Sequence, residues 1–387
     1  MGAGPAGAWA AYTLARRGAR VTIFDPSHPR EKPCGGGVTG RALAVVSDAI
    51  APHDVAACVI RAARFLDSPR GHSAVVPLAH TRDAPDASLI VASRTAFDSA
   101  LLAAAVDAGA TVDTSRVNDI SVGRHDVRIA TARGEHRAPF VIGADGANSL
   151  VRRRVARPFP RAALSIATGF YAHGVTSDEI VIELVADPPG YIWSFPRPDH
   201  LAIGVCGQAD AGVSVDALRA RTAAWVSATR IADGARLQPY SWPIPSLDAR
   251  AFAALDLAGP RWTLAGDAAG LVDPITREGI YFALLSGQWA AGAIGANGAH
   301  DYAARVRDEI GSELARAARL KTGFFRPAFT GLLMRALTTS PAIRAVMADL
   351  IAGVQPYRTL TRRLLATFEL GLAWRALITG RNTLRAP

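Results

Sequence analysis

Thiols and lysines are scarce in this chain. Three cysteines, Cys34, Cys58 and Cys206, are spread over 387 residues, and no two show C-x-x-C spacing. That pattern excludes a zinc knuckle and a disulfide framework, predicts no bound metal, and fits a reducing, cytoplasmic setting. Lysine is limited to Lys32 and Lys321, although Lys and Arg together number 43. The opening MGAGPAGAWA lacks a basic region followed by an apolar core, so no secretory leader is read. There is no internal repeat and no low-complexity linker. One uncharged run, Gly279–Ala299, is long enough to cross a bilayer, but its glycines with Gln288 and Asn297 suit a buried helix better.

Half of the residues are hydrophobic and a fifth are charged, as in a globular protein with room for two or three structural units. The net charge of +10 is concentrated at the C-terminal end: residues 301–387 hold 14 Lys+Arg and 6 Asp+Glu, a net +8. Apolar pieces such as Phe324–Phe325, Leu332–Met334 and Leu364–Leu365 lie in the same region. A basic, amphipathic, helical tail points to a peripheral contact with an anionic membrane surface, with a solvated arginine-rich cap as the alternative. No nucleic-acid-binding module accompanies the charge, so nucleic acid is not an expected partner.

Periodicity predicts helices over 5–17 and 39–50, and another over 95–108 with Thr95 as its cap and Asp98 closing a capping box. Strands are predicted at 19–24, 59–66, 88–92, 117–122, 127–131 and 139–143. A strand-rich stretch follows (163–171, 179–185, 191–195 and 201–206), then a helix over 215–226 and a strand at 262–265. Beyond Ala268 the chain reads as helices broken at Pro327, Pro341 and Pro356.

The first motif is Gly2-Ala3-Gly4-Pro5-Ala6-Gly7, continued by Ala11, Gly18 and Asp25. Gly2 permits a tight turn, Gly4 lets the backbone approach a pyrophosphate, and Ala6, Gly7 and Ala11 allow a helix to lie close to a sheet. The helix N-terminus faces the phosphates, and Asp25 can accept from ribose hydroxyls. Only Met1 precedes the first glycine, where this motif calls for a central strand. The expectation is that the native start lies upstream, in an extended apolar run of about five or six residues, or that this is a truncated copy.

Two distant segments repeat the logic. Gly143-Ala144-Asp145-Gly146 follows the strand PFVIG, and Gly266-Asp267-Ala268-Ala269-Gly270 follows WTLA. Each ends a strand in Gly and Asp before a helix, so Asp145 and Asp267 can meet a ligand hydroxyl. The helix start near Gly279 and Ile280 can aim N–H groups at an electron-rich ring.

Motifs in this order resemble FAD-dependent oxidoreductases of the para-hydroxybenzoate hydroxylase fold, over roughly residues 2–300. The implied fold is α/β: a Rossmann-like FAD-binding domain, its first strand apparently missing, with an inserted β-rich substrate domain and a C-terminal helical tail. The boundaries are 1–66, 93–155 and 250–300 for the FAD-binding domain, 67–92 and 156–249 for the substrate domain, and 301–387 for the tail. The resemblance implies that Asp267 binds the ribityl chain, that Asp145 and Gly146 lie beside the cofactor, and that Arg94 contacts it. The other reading of Arg94 is a surface charge at a helix start.

Lys32-Pro33-Cys34-Gly35-Gly36-Gly37-Val38 resembles a loop of the geranylgeranyl reductase family, and Tyr191-Ile192-Trp193-Ser194-Phe195-Pro196 resembles that family's substrate-pocket motif. The resemblance implies reduction of isoprenoid C=C bonds by hydride from reduced flavin, with NAD(P)H or another reductant as electron donor and an apolar or lipid substrate. Tyr191, Trp193 and Phe195 alternate along a strand and would wall an apolar tunnel; ordinary core aromatics are the alternative. Cys34 is the candidate proton donor or flavin neighbour, and a small buried filler otherwise. Arg277, in Thr276-Arg277-Glu278-Gly279, puts a cation where the family usually has glycine, to meet an anionic substrate or the flavin N1–C2=O, or to point outward. A lysine-dependent halogenase is disfavoured, because neither lysine falls between the relevant motifs. The rival readings are an NAD(P)H-dependent flavin monooxygenase of an aromatic or polyketide, and a non-catalytic remnant.

Overall fold

The computed structural model describes residues 1–78, 89–294 and 298–367. The nucleotide-binding unit is built on two short parallel pairs. Thr22–Phe24 pairs with Thr111–Asp113, and Val141–Gly143 pairs with Trp262–Leu264. Met1 and Gly2 lie between these pairs and bond to both. The Met1 amino group donates to the Ile142 carbonyl at 2.7 Å, Ala144 N–H donates to the Met1 carbonyl at 2.9 Å, and Gly2 N–H donates to the Phe24 carbonyl at 2.9 Å. The lane leading into the glycine turn is therefore the central one, which is where a dinucleotide motif belongs.

Helices Pro5–Ala15 and Arg94–Asp107 bury Trp9, Phe97 and Leu101 together with the strand residue Ile23. Helix Ile280–Ala291 lies almost in backbone contact with Pro5–Ala15: a Cβ added at Gly287 would stand 2.3 Å from the Ala6 carbonyl oxygen. Within the uncharged run, Ile280–Ala291 is a short, largely buried helix. Among the described residues no helix is long and apolar enough to cross a membrane. The helix expected to start at Thr95 is capped instead by Ser93, whose Oγ accepts from Ala96 N–H at 3.0 Å. Asp98 is turned inward to Arg94, so it closes no capping box.

The inserted unit is a seven-stranded sheet in the order Arg236–Pro245, Leu164–His173, His200–Gln208, Pro189–Pro196, Glu179–Ala186, Ala62–Asp67 and His72–Pro77. Ala62–Asp67 pairs in parallel with Glu179–Ala186, although the boundary at 66 left most of it with the nucleotide-binding unit. Conversely, Leu89–Ala92 pairs with Gly37–Thr39 and Ala57–Val59, outside the inserted sheet. Hydrophobic patterning marks a strand but not which sheet it joins. Arg236–Pro245 was hidden by Pro239 and Pro243; it is an edge strand, where proline is tolerated.

Helix Val215–Thr229 packs on this sheet through Leu218, Trp225 and Val226. Helices Pro327–Thr339 and Pro341–Ile351 dock through Leu333, Met347 and Leu350 on Phe65, Val76 and Ile180. The prolines read as breaks are helix starts: Pro327 and Pro341 occupy first positions, and Pro356 precedes Tyr357–Ala366. Residues 368–387 of the basic tail lie outside the described residues, and so does that part of the membrane-surface expectation.

Replacing Gly287 with Val forces the two helices apart. The expected loss is about 1–3 kcal/mol in urea unfolding, in the range of core overpacking, with a lower flavin content. A variant as stable as the parent would remove this contact from the account.

Candidate active site

Turns far apart in sequence converge at the ends of the parallel strands. Gly2 has φ +90°, and a Cβ there would lie 2.3 Å from the Ala144 carbonyl oxygen, so the first and second motifs share one wall. Around them opens a cavity of about 490 Å³. Gly2, Gly4, Ala6, Asp25, Arg94, Asp145 and Gly146 line it, as do Asp267, Gly279 and Ile280. Cys34, Gly35 and Gly36 add the loop, and Tyr191, Trp193 and Phe195 add the inserted sheet. Gly7 and Gly266 stand behind this wall; Gly7 packs on the Gly2 carbonyl, and Gly266 on Ala6 and Ala283.

Helix Pro5–Ala15 begins at Gly4 with no side-chain cap, and the groups nearest Gly4 are His28 and Arg94. Free N–H groups, a favourable helix dipole and two cations suit a pyrophosphate. His28 Nε2 is buried without a hydrogen-bond partner. It lies 3.3 Å from Asp98 Oδ2, close enough for charge attraction but poorly aligned for a hydrogen bond. The residues present therefore fit FAD.

The carboxylates differ in what remains free. Asp25 accepts from Ala3 N–H at 2.9 Å, Ser27 N–H at 2.8 Å, His28 N–H at 3.0 Å and the His28 ring at 2.8 Å. Its oxygens are filled from within the chain, so Asp25 shapes the turn. Burial alone would raise its pKa, but hydrogen bonds from His28 and Ala3 hold it well below the usual carboxylate range. Asp145 accepts from Val151 N–H at 3.1 Å, and from Ser149 and Leu150, and so caps the helix Leu150–Val155. What it offers the cavity is its turn. Asp267 holds Lys32 Nζ at 2.7 Å on one oxygen.

Arg94 is buried, not a surface charge: its guanidinium meets Asp98 at 2.9 and 2.7 Å, and Nη1 lies 3.9 Å from Cys34 Sγ. The loop bearing Cys34 is pinned by residues the sequence reading missed. Glu31 accepts from Arg94 N–H at 3.2 Å and Thr95 N–H at 3.1 Å and pairs with Arg197. The fully buried Arg197 donates to the Cys34 carbonyl at 2.8 Å. The available signal was Arg197 itself, a charge directly after the Phe195-Pro196 pair.

Tyr191, Trp193 and Phe195 share the cavity face, as their alternation predicts. Tyr191 donates to the Thr276 carbonyl at 2.7 Å, and burial pushes its pKa up, so it stays a neutral phenol. The cavity continues over Ile180, Ile182, Leu184, Phe324, Met347 and Leu350. Arg277 also lines it and does not point outward. Its backbone is left-handed at φ +62°, Nη1 donates to Ser246 Oγ at 2.8 Å, and Nε is buried without a partner. Lys321 Nζ donates to the same Ser246 Oγ and to Gln208 Oε1, both at 3.0 Å. Burial, reinforced by the Arg277 charge, pushes Lys321 down to about 8.

Residues 1–284 match the family described as FAD binding domain. The chain is 30% identical over 383 residues to a menaquinone reductase of Mycolicibacterium smegmatis, covering 91% of each. It is 30% identical over 359 residues to a digeranylgeranylglycerophospholipid reductase of Methanothrix thermoacetophila, covering 84% of this chain and 86% of that one. In structure it is similar to a geranylgeranyl bacteriochlorophyll reductase-like protein of Thermoplasma acidophilum, with a TM-score of 0.76 and 21% identity over 95% of this chain and 97% of that one.

Burial lowers the His28 pKa, but the hydrogen bond to Asp25 and the nearby charges of Asp25 and Asp98 outweigh it and raise the value above 6.5. Its stabilisation is therefore complete below about pH 6.5 and lost as pH rises through the raised value. The thermal midpoint of the FAD-free protein is expected to fall more steeply as pH rises above about 6.5 than that of His28→Gln. Parallel curves for the two proteins would refute the assignment.

Proposed function

The chain belongs to the geranylgeranyl reductase family of FAD-dependent oxidoreductases, and on that premise we propose that it saturates C=C bonds of an isoprenoid chain. The observation that carries this reading is the continuity of one cavity. The three FAD-binding turns form one end, and an apolar arm between the inserted sheet and the C-terminal helices forms the other. A prenyl chain laid along Tyr191, Trp193 and Phe195 reaches the first end without leaving apolar surroundings. Burying each five-carbon unit contributes about 4 kcal/mol, enough to hold the alkene with few polar contacts.

Reduced FAD supplies the hydride in this reading. The chain's own residues bind, orient and exclude water. Trp193 and Phe195 fix the plane of the alkene, and the loop held by Glu31 and Arg197 closes the cavity beside Cys34. Hydride goes to one alkene carbon, and the other needs a proton, for which the Cys34 thiol is the candidate donor. NAD(P)H or another reductant resets the flavin. The basic C-terminal region is assigned to an anionic lipid surface, from which a lipid-borne prenyl chain would enter.

The test is anaerobic. Holoenzyme reduced with dithionite is mixed with geranylgeranyl diphosphate, and the product mass is expected to rise by about two hydrogens per double bond while the flavin reoxidises. Flavin that stays reduced with every prenyl compound, together with aromatic-stimulated NAD(P)H oxidation in air, would replace this reading with the monooxygenase one.

A further inference from the structure

We propose that Arg277 and Lys321 form an oxyanion-binding subsite that takes the phosphate-bearing head group of the substrate. The head group's attachment to a prenyl chain rests on the reading above; the anion site does not.

The argument begins with charge. Arg94, on the same cavity, and the fully buried Arg197 each hold a carboxylate, Asp98 and Glu31 respectively. Arg277 and Lys321 have no carboxylate within ion-pair distance among the described residues. Both instead donate to one neutral hydroxyl, Ser246 Oγ, at 2.8 and 3.0 Å. Ser246 in turn donates to Gln208 Oε1 at 3.0 Å, which also accepts from Lys321. Two cations drawn from water onto one neutral acceptor repel each other, and an arriving anion removes that repulsion. Consistent with this crowding, Lys321 sits below its ordinary pKa, through burial first and the Arg277 charge second.

The backbone supplies the second observation. Position 277 has φ +62°, a conformation glycine takes freely and arginine does not. A long cation kept in a strained conformation, with a buried unpartnered Nε on a cavity wall, indicates a side chain used for binding. The subsite is also separate from the cations at Gly4. His28 and Arg94 belong to the FAD end, whereas Arg277 lines the cavity with Tyr191 and Cys206, and Lys321 joins it through Ser246. A guanidinium with free donors and an ammonium together match a phosphate better than a carboxylate.

The experiment titrates FAD-loaded protein with inorganic pyrophosphate by calorimetry and flavin difference absorbance. The proteins are wild type, Arg277→Gly and Lys321→Gln, with FAD content and thermal midpoint as folding controls. Each substitution is expected to weaken pyrophosphate about tenfold or more. The wild type should bind geranylgeranyl diphosphate more tightly than geranylgeraniol, and Arg277→Gly should narrow that gap. Pyrophosphate bound equally by all three proteins, or not at all, overturns the subsite, as does equal wild-type affinity for diphosphate and alcohol. Pyrophosphate binding that depends on Arg277 while neither prenyl compound binds upholds the subsite and removes the prenyl reading. If one variant loses FAD, the other decides.

Discussion

Close approach between the Gly2 turn and the Ala144–Asp145 turn is the contact on which the site depends. With no side chain at Gly2, the two turns touch backbone to backbone, and the hydrogen bonds of Met1 and Gly2 tie both strand pairs to that point. Everything that binds the cofactor is measured from there. The uncapped helix of Pro5–Ala15 points its N–H groups into the cavity, and Asp267 faces it from the third turn. Any side chain at residue 2 would separate the two halves of the unit before it touched a ligand.

Charge is arranged in alternation around this frame. Asp25, His28, Asp98 and Arg94 follow one another as anion, cation, anion and cation, with three of the four nearly inaccessible to water. Isolated, each buried ion would be strongly penalised; in a chain, each is flanked by its opposite. The same arrangement favours the ionised forms of Asp25 and Asp98 and the charged form of His28. The four charges cancel in sum, but the two cations are the members nearest Gly4. Lys32 pairs with Asp267 and Lys321 donates to Ser246, so both of the chain's lysines are held by specific partners.

What could be read from the sequence divides along physical lines. The glycine turns were legible because backbone geometry restricts them to few residue types, and the aromatics of 191–195 because alternation fixes their face. The roles of the aspartates were less legible. Asp25, Asp145 and Asp267 look alike in sequence, yet Asp25 is saturated by its own loop, Asp145 caps a helix, and only Asp267 presents its carboxylate with a single partner. That distinction depends on which N–H groups lie nearby, which no spacing reports. Glu31 and Arg197 were invisible for a related reason. They meet across 166 residues, and a buried charge is recognised only once its partner is known. The edge strand Arg236–Pro245 was masked because proline argues against strands in general and is permitted only at an edge.

The segment from Asp273 to Gly279 then explains how cofactor and substrate ends are held in register. Asp273 Oδ1 accepts from Ile275 and Thr276 N–H at 2.7 and 2.9 Å, and from the Tyr357 hydroxyl at 3.1 Å, which fastens the last described helix to this turn. Thr276 accepts from Tyr191 on the inserted sheet, and Glu278 takes Thr39 at 2.7 Å and Arg41 from beside the loop. Arg277 reaches Ser246 at the end of the edge strand. Three units, the C-terminal helices, the inserted sheet and the nucleotide-binding unit, therefore meet in one short turn whose other end, Gly279, opens the helix Ile280–Ala291 at the cavity. The side chains of Asp273, Arg277 and Glu278 each hold a bond to another segment, so the turn couples the two ends of the cavity. Placing a strained arginine at its centre makes sense under that constraint: the neighbouring residues hold the backbone in the left-handed conformation, and the guanidinium is delivered to the cavity at a fixed position relative to both ends.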